Sequence, residues 1–165
     1  MKFPISVTFL LLALSPMGLA LQEFWVSYVK LFTHTNAQER HQEGGTITTV
    51  SPASFFKCDD NTWKTVIWHN SDDVSHEHYG MRVDPSKDVG PPLYRDNLNE
   101  VELNTNTFVG HQTIYADRSF GLYTTDGRMD GKCTVDRTFT MDLNCNVGEM
   151  HFEMTGSSML HCTPI

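Results

Sequence analysis

Short runs of alternating apolar and polar residues extend along most of the chain, and turn-forming residues separate them. Residues 24–33 are rich in β-branched and aromatic side chains and contain no Gly or Pro. Because this run is apolar on parts of both faces, we expect it to form a central strand. Further strands are predicted at residues 46–50, 64–69, 79–83, 100–103, 107–116, 120–125, 129–135, 138–145, 149–154 and 159–162.

Helical signals are few. Residues 36–45 are polar and end in two glycines, which predicts a loop or a short helix stopped by glycine. A serine and a proline at 51–52 favour the start of a helix, so one helical turn is expected at 52–56, with its phenylalanines directed inward. About ten short strands with at most one or two short helical turns predict an all-β fold, either a sandwich or a closed barrel.

One hairpin can be predicted in detail from the Asp126-Gly127 dipeptide. This pair favours a two-residue turn, which would place Leu122 opposite Gly131 and Tyr123 opposite Asp130. The apolar face of this hairpin would then consist of Phe120, Leu122, Met129, Cys133 and Val135. In the following strand, the same alternation directs Phe139, Met141, Leu143 and Cys145 toward the core.

The first twenty residues have the pattern of a cleavable export signal. Lys2 precedes an apolar run at 5–14, and a serine and a proline then lead to Gly18-Leu19-Ala20. Small residues three and one positions before a cut are typical of secretory leaders, so cleavage is predicted after Ala20. The run is shorter than the roughly 20 residues of a membrane anchor. We therefore expect a signal peptide at 1–20 and a single secreted, β-rich domain at 21–165.

The charge balance excludes two classes of partner. Loss of Lys2 with the leader changes the formal net charge from −8 to −9, and no basic cluster is present. Nucleic-acid binding and adhesion to anionic membranes both rely on clustered Lys and Arg. Neither is expected, and the carboxylates are attributed to solubility.

Four cysteines lie in the predicted mature chain, at Cys58, Cys133, Cys145 and Cys162. An even number of cysteines in an exported chain predicts disulfides, here two bridges with three possible pairings. Zinc is the alternative, but no Cys-x-x-Cys pair supports it. Because Cys133 and Cys145 are both predicted to face the core, the bridges should be structural.

Histidine provides the main candidate for metal chemistry. In His76-Glu77-His78 both imidazoles would project from one face of a strand, and His69 or the carboxylates of Asp72 and Asp73 could complete a zinc or copper site. The alternative is a polar loop with ordinary histidines. We favour this alternative, and no metal and no cofactor are predicted. No Gly-x-Ser-x-Gly nucleophile motif is present, and the cysteines are committed to bridges.

The block Gly110-His111-Gln112-Thr113-Ile114-Tyr115-Ala116-Asp117-Arg118-Ser119-Phe120-Gly121-Leu122-Tyr123, continuing through Asp126-Gly127 to Gly131-Lys132-Cys133, resembles a group of small secreted fungal proteins. The resemblance covers residues 98–145. It implies a filamentous fungus, export and a disulfide-held β fold, but it does not imply an activity. Small acidic secreted fungal proteins of this kind are often host-directed effectors.

These observations favour a monomeric, effector-like protein that binds an extracellular host or cell-wall component. Its exposed loops at 70–78 and 84–92 are the expected contact regions, because recognition usually resides in loops on a rigid scaffold. Two alternatives remain: a small-ligand carrier that uses the interior of a barrel, and a secreted hydrolase or metal-dependent enzyme that uses the histidines.

Overall fold

The computed structural model describes residues 21–69, 74–76, 78–84 and 98–165. Nine antiparallel strands form one sheet that curves into a nearly closed barrel, which confirms the predicted all-β fold. The strands are β1 Phe24–His34, β2 Glu39–Thr48, β3 Gly80–Asp84, β4 Glu100–Asn104, β5 His111–Tyr115, β6 Gly121–Thr124, β7 Met129–Val135, β8 Thr140–Val147 and β9 Met150–Pro164. Their order is β2-β1-β9-β7-β6-β5-β4-β3, and β8 pairs with β9 beside β7.

Strands β1 and β9 form the centre of the sheet. β1 lies between β2 and β9, as the apolar character of residues 24–33 predicts. The two strands predicted at 149–154 and 159–162 are one continuous strand. The alternating pattern is interrupted at Gly156, but the strand continues through it. A Cβ at this position would lie 2.2 Å from the Tyr28 carbonyl oxygen in β1, so only glycine fits there. Gly156 therefore permits a close strand contact.

Two local predictions around β2 are wrong. The polar residues 36–45 were expected to form a loop or a helix, but most of them belong to β2. Residues 64–69 do not form a strand, and only Trp68 bridges to Gly45. Gly44 and Gly45 lie within the strand. A Cβ at Gly44 would meet the Trp68 backbone and one at Gly45 the Met81 side chain, so the absence of side chains lets these neighbours pack closely. Here glycine again permits close packing and does not end an element.

Two short α-helices connect β2 to the rest of the sheet. The first, α1, spans Pro52–Phe55, within the predicted helical turn, and Phe56 just after it is buried. The second, α2, spans Asp60–Trp63 and was not predicted. Its N-cap is Asp59, whose carboxylate accepts a hydrogen bond from the Thr62 amide at 3.0 Å. Within the described residues no helix is long and apolar enough to cross a membrane.

Two hydrophobic cores lie on opposite faces of the β1–β9 pair. Consecutive β1 residues point to opposite faces, and Tyr28 belongs to the first core while Val29 belongs to the second. The barrel core contains Phe24, Val26, Tyr28, Met81, Val83, Val101, Leu103, Val109, Ile114, Leu122, Cys133, Met159, Leu160 and Cys162. The second core, beside the short helices, contains Val29, Leu31, Phe56, Ile67, Met141, Cys145, Phe152 and Met154.

The barrel core contains one whole disulfide, and the second core contains one half of the other. Cys133 and Cys162 lie opposite each other in β7 and β9 and are joined. Cys58, between the two short helices, is joined to Cys145 of β8. No cysteine is free, so the prediction of two bridges is confirmed. The predicted inward orientation of Cys145 is confirmed as well.

The hairpin between β6 and β7 differs from the prediction in its turn. Leu122 pairs with Gly131 as expected, but a bulge follows, and Tyr123 pairs with Met129. The Gly127 amide bonds to the Thr124 carbonyl at 2.9 Å, and Gly127 has φ 82°, which closes a three-residue loop. The bulge places Met129 opposite the outward-facing Tyr123, so Met129 is exposed. Val135, at the end of β7, is exposed too, and neither residue joins the predicted apolar face.

Candidate binding face

The histidines of the candidate metal cluster form no metal site with the other residues that the structure describes. His69 donates from Nδ1 to the Glu43 carbonyl oxygen at 2.9 Å, beside β2. His76 lies in a turn closed by a bond from the His78 amide to the Ser75 carbonyl, and not in a strand. In the part of the chain that the structure describes, no group of three or more His, Cys, Asp or Glu side chains could hold a metal ion. Asp72, Asp73 and Glu77 lie outside that part.

The two loops expected to make contacts are described only in part. Residues 70–73, 77 and 85–97 lie outside the described residues. The described segment 74–76 is held against β4, where the buried Asn104 side-chain amide donates to the Val74 carbonyl at 2.7 Å and to the His76 carbonyl at 3.0 Å. The candidate site is therefore built from the strands next to these loops.

The outer side of strands β3 to β6 presents a continuous polar and aromatic surface, called here the β3–β6 face. The inward side of these strands supplies Val83, Val101, Ile114 and Leu122 to the barrel core. The strand register places one outward row of side chains at Arg82, Glu102, Thr113 and Tyr123. A second row consists of Asp84, Glu100, Tyr115 and Gly121. The alternation of each strand thus separates an apolar inner surface from a polar and aromatic outer one.

One half of the β3–β6 face is an ion-pair network centred on Glu102. Arg82 donates to Glu102 from Nη2 at 2.6 Å and to Glu100 at 3.0 Å. His111 donates from Nε2 to the other Glu102 oxygen at 2.9 Å. Desolvation acts against the charged form of Arg82, but the bond to Glu102 and the nearby carboxylates raise the pKa of its guanidinium. The hydrogen-bonding groups of this half are largely paired with each other.

The other half presents a cation, Arg118, that has no carboxylate partner among the described residues. The Arg118 guanidinium carbon lies 4.3 Å from the Tyr115 ring centroid and 5.2 Å from that of Tyr123. The two tyrosine rings are 5.8 Å apart in an edge-on arrangement. Among the described residues, no carboxylate lies within ion-pair distance of Arg118. Its planar donors are therefore held by ring contacts and remain available to an external acceptor.

The backbone that positions Arg118 adopts an uncommon conformation. A 3₁₀ turn at Ala116–Arg118 is followed by Ser119 and Phe120, with φ of 55° and 56°. Non-glycine residues rarely adopt positive φ, and such strain is tolerated where surrounding structure imposes it. Here the Phe120 carbonyl accepts the Cys133 amide at 2.8 Å, next to a disulfide. The sheet thus fixes the turn, and the turn places Arg118 over the tyrosines.

Two cavities with polar side chains in their walls flank β2. One, of about 380 Å³, is lined by residues that include Lys30, His41, Glu43, His69 and Glu153. Glu43 accepts a hydrogen bond from the buried Tyr28 hydroxyl and lies 3.2 Å from Lys30 Nζ. Burial and the Glu43 carboxylate raise the pKa of Tyr28 well above its usual 10.0. A phenol held in its protonated form is a poor nucleophile, so this arrangement does not favour covalent catalysis.

The second cavity, of about 530 Å³, lies between the β1–β2 hairpin and residues 63–67. Arg40, Gln42, Trp63 and Thr65 contribute to its walls. The lining combines amides, hydroxyls and single apolar groups from loop and strand, without a pair of groups arranged as acid and base. This lining does not indicate a catalytic site.

Sequence analysis did not identify Arg118, Tyr115 or Tyr123 as site residues. The two tyrosines alternate with the inward-facing Ile114 and Leu122, which indicates that they point outward. Their proximity depends on the β5–β6 register, in which Thr113 pairs with Tyr123. That register is set by the unpredicted 3₁₀ turn between the strands. The chain matches no protein-family model, no curated protein and no solved structure.

Proposed function

We propose that this chain is an exported, effector-like fungal protein that binds a host extracellular protein through the β3–β6 face. In this proposal the partner presents a carboxylate to Arg118. Export is supported by the leader pattern at 1–20 and by two disulfides, which persist in oxidising compartments. Fungal origin and the effector role rest on the resemblance of residues 98–145 to small secreted fungal proteins.

The observation that carries the proposal is the position of Arg118 over Tyr115 and Tyr123. Tyrosine and arginine are enriched among the residues that dominate binding energy in protein interfaces. A guanidinium presents a planar fork of donors that matches a carboxylate in two parallel hydrogen bonds. In a chain of net charge −8, an arginine with no carboxylate within ion-pair distance among the described residues is suited to an acidic group supplied by a partner.

Preorganisation adds to this argument. Both tyrosines project from paired strands, and the turn that holds Arg118 is bonded to the sheet. Ordering a free, rotamer-rich side chain on binding costs about 0.5–1.5 kcal/mol, and ring contacts already restrict this one. A rigid aromatic and cationic patch is the kind of surface that binds a partner without large rearrangement.

The two alternative functions have less support. A carrier needs space inside the barrel, and the barrel interior holds the buried side chains of the first core. An enzyme needs a nucleophile or base with a suitable pKa in a cleft. Beside β2, the buried Tyr28 instead has a raised pKa and donates a hydrogen bond to Glu43, which lines the neighbouring cavity. The binding hypothesis therefore remains the best supported.

A capture experiment with matched arginine variants tests the proposal. Immobilised mature protein is exposed to host extracellular fluid and, separately, to insoluble cell-wall polysaccharide. Arg118→Ala is compared with Arg128→Ala, an exposed arginine of the neighbouring turn that lies 3.0 Å from Asp130. We expect a host protein to be captured by the wild type and by Arg128→Ala, with at least about a tenfold loss for Arg118→Ala, as for an interface hot spot.

Three outcomes would contradict the proposal. One is equal capture by both arginine variants, which would show that binding does not use Arg118 and the β3–β6 face. The second is capture by polysaccharide alone, which would identify a wall-binding protein. The third is no Arg118-dependent capture at all. Circular dichroism and melting curves of each variant establish that the comparison is made between folded proteins.

A further inference from the structure

Strand β8 has an edge that no other described strand covers. β8 pairs with β9 in an unbroken register from Thr140 opposite Ser157 to Val147 opposite Met150. On its other side, within the described residues, β8 has no ladder partner and its backbone makes no further hydrogen bond. The edge is eight residues long. Such an edge is a template for another strand.

The bonding pattern identifies which backbone groups point outward from β8. The Ser158 amide donates to the Phe139 carbonyl at 2.9 Å, so Phe139 faces β9. In an antiparallel ladder, residues alternate between those bonded to the partner strand and those whose groups point away. The outward N–H and C=O groups therefore belong to Thr140, Asp142, Asn144 and Asn146, and these side chains are all exposed.

The composition of β8 does not protect this edge. Proteins usually guard exposed edges with lysine, proline, a bulge or several charges. β8 has the sequence TMDLNCNV, with one charged residue, and its register has no bulge. Its strand position is also rigid, because Cys145 is joined to Cys58. The outer strand β2, in contrast, contains Glu39, Arg40 and Glu43, and Trp68 bonds to it at Gly45.

We propose that β8 pairs antiparallel with β8 of a second copy of the chain, which makes the protein a homodimer. Only registers that place outward groups opposite each other can form a ladder, and a two-fold axis at Leu143 satisfies this condition. It places Asp142 opposite Asn144 of the second copy and Thr140 opposite Asn146 of the second copy. Each of these pairs exchanges two backbone hydrogen bonds. Asp142 then faces an amide and not a second carboxylate.

Two features favour a second copy over an unrelated peptide. The charge pattern is self-complementary in the Leu143-centred register, because each Asp142 carboxylate meets the Asn144 amide of the second copy, which keeps one N–H beside its 3.4 Å bond to Glu153 of its own chain. The half-buried Leu143 also meets its own counterpart across the axis, where the two Cα atoms are about 4.5 Å apart in a non-hydrogen-bonded pair. That contact covers apolar surface next to the second core. This inference does not depend on the proposed host partner and differs from the monomer expected from sequence.

The dimer is expected to be weak. Stable interfaces bury roughly 800 Å² on each partner, and one strand edge provides a fraction of this area. Sedimentation velocity of the mature, oxidised protein from low micromolar to near-millimolar concentration covers the corresponding range. We expect a reversible monomer–dimer equilibrium. A protein that sediments as a monomer over the whole range would overturn the proposal.

Substitutions at Asn144 test the register at an exposed position. In the dimer, Asn144→Asp places a carboxylate of each copy opposite Asp142 of the other copy. Asn144→Lys instead creates an ion pair with Asp142 at each of these two positions. Cross-strand pairs contribute roughly 0.2–1 kcal/mol each, so the two pairs should shift the dimer dissociation constant by about 2- to 30-fold, upward for Asp and downward for Lys. Shifts in the same direction for both variants would exclude the Leu143-centred register.

A backbone variant tests whether the edge itself is the interface. Asn144→Pro removes an N–H that points away from β9, so the intrachain ladder remains, and proline is tolerated at such an edge position. We expect a folded monomer, with melting unchanged at low concentration. Dimerisation that survives in this variant would locate the interface elsewhere. Asn106, an exposed asparagine outside β8, supplies the matched control as Asn106→Pro, which should leave the dissociation constant unchanged.

Discussion

The buried Asn104 side chain should contribute more to stability than its polar character suggests. It is 4% exposed, and its amide nitrogen donates to two backbone carbonyls, at Val74 and His76. Val74 is itself 1% exposed, and His76 has φ 54°. One side chain thus fixes a segment of unfavourable backbone conformation against the end of β4. Its removal should release that segment.

The magnitude follows from the two hydrogen bonds. Each contributes roughly 1 kcal/mol net, and a buried carbonyl left without a donor costs about 1–3 kcal/mol. We therefore expect Asn104→Ala to lower the free energy of unfolding by about 2–3 kcal/mol. In a domain of this length, this corresponds to a fall in melting temperature of about 4–12 °C, at roughly 2–4 °C for each kcal/mol. Asn104→Asp preserves the shape but turns a carboxylate toward two carbonyl oxygens, so its cost should exceed that of Ala.

Urea denaturation of the oxidised protein measures these differences, and Asn106 provides the control. Asn106 lies two residues along the chain, is exposed, and makes no side-chain hydrogen bond within the described residues. Asn106→Ala should change stability by at most about 0.5 kcal/mol, as is usual for surface sites. If Asn104→Ala falls within that range too, or if Asn104→Asp is milder than Ala, the two hydrogen bonds do not hold the segment as described.

Three further predictions concern titration, packing and processing. Because burial and Glu43 raise the pKa of Tyr28, its contribution to stability is complete below the unfolded pKa near 10.0 and is lost as pH rises above it. Tyr28→Phe should remove that part of the alkaline loss in urea titrations, and an unchanged pH profile would contradict the assignment. Gly156→Ala should cost at least about 3 kcal/mol, because its Cβ would lie 2.2 Å from a carbonyl oxygen, while Gly148→Ala, with φ 62° and open space, should cost about 1–2 kcal/mol by urea midpoint. N-terminal sequencing of secreted protein should begin at Leu21, and an uncut Met1 would refute the predicted leader.

Local alternation predicted many of the strands, but not their contacts. The apolar run at 24–33 predicted β1 and its central position in the sheet. The alternation after Phe139 predicted that Cys145 points inward. Two of the errors arose at glycines: in β2 and at Gly156 of β9, glycine permits close approach of a neighbouring segment, which a single strand's pattern does not show. The Asp126-Gly127 turn was located correctly but its length was not.

The β3–β6 face could not be predicted from the sequence for a similar reason. Tyr115 and Tyr123 are separated by a 3₁₀ turn, and their contact with Arg118 needs the register of β5 against β6. Alternation predicts which side of a strand a residue occupies, and it does not predict which residue lies beside it on the next strand. Histidines are candidate metal ligands by residue type alone. Arg118, in contrast, differs from other arginines only in its contacts with the two tyrosine rings, which the sequence does not show.

The pairing of β1 with β9 has a consequence for the order in which the protein can be made. Among the described residues β1 is the first strand and β9 the last, and both cores are built on their shared ladder. During synthesis, β1 leaves the ribosome long before its main partner exists. Neither core can close, and Cys133 cannot meet Cys162, until β9 has emerged. Folding of both cores must therefore wait until β9 has been synthesised.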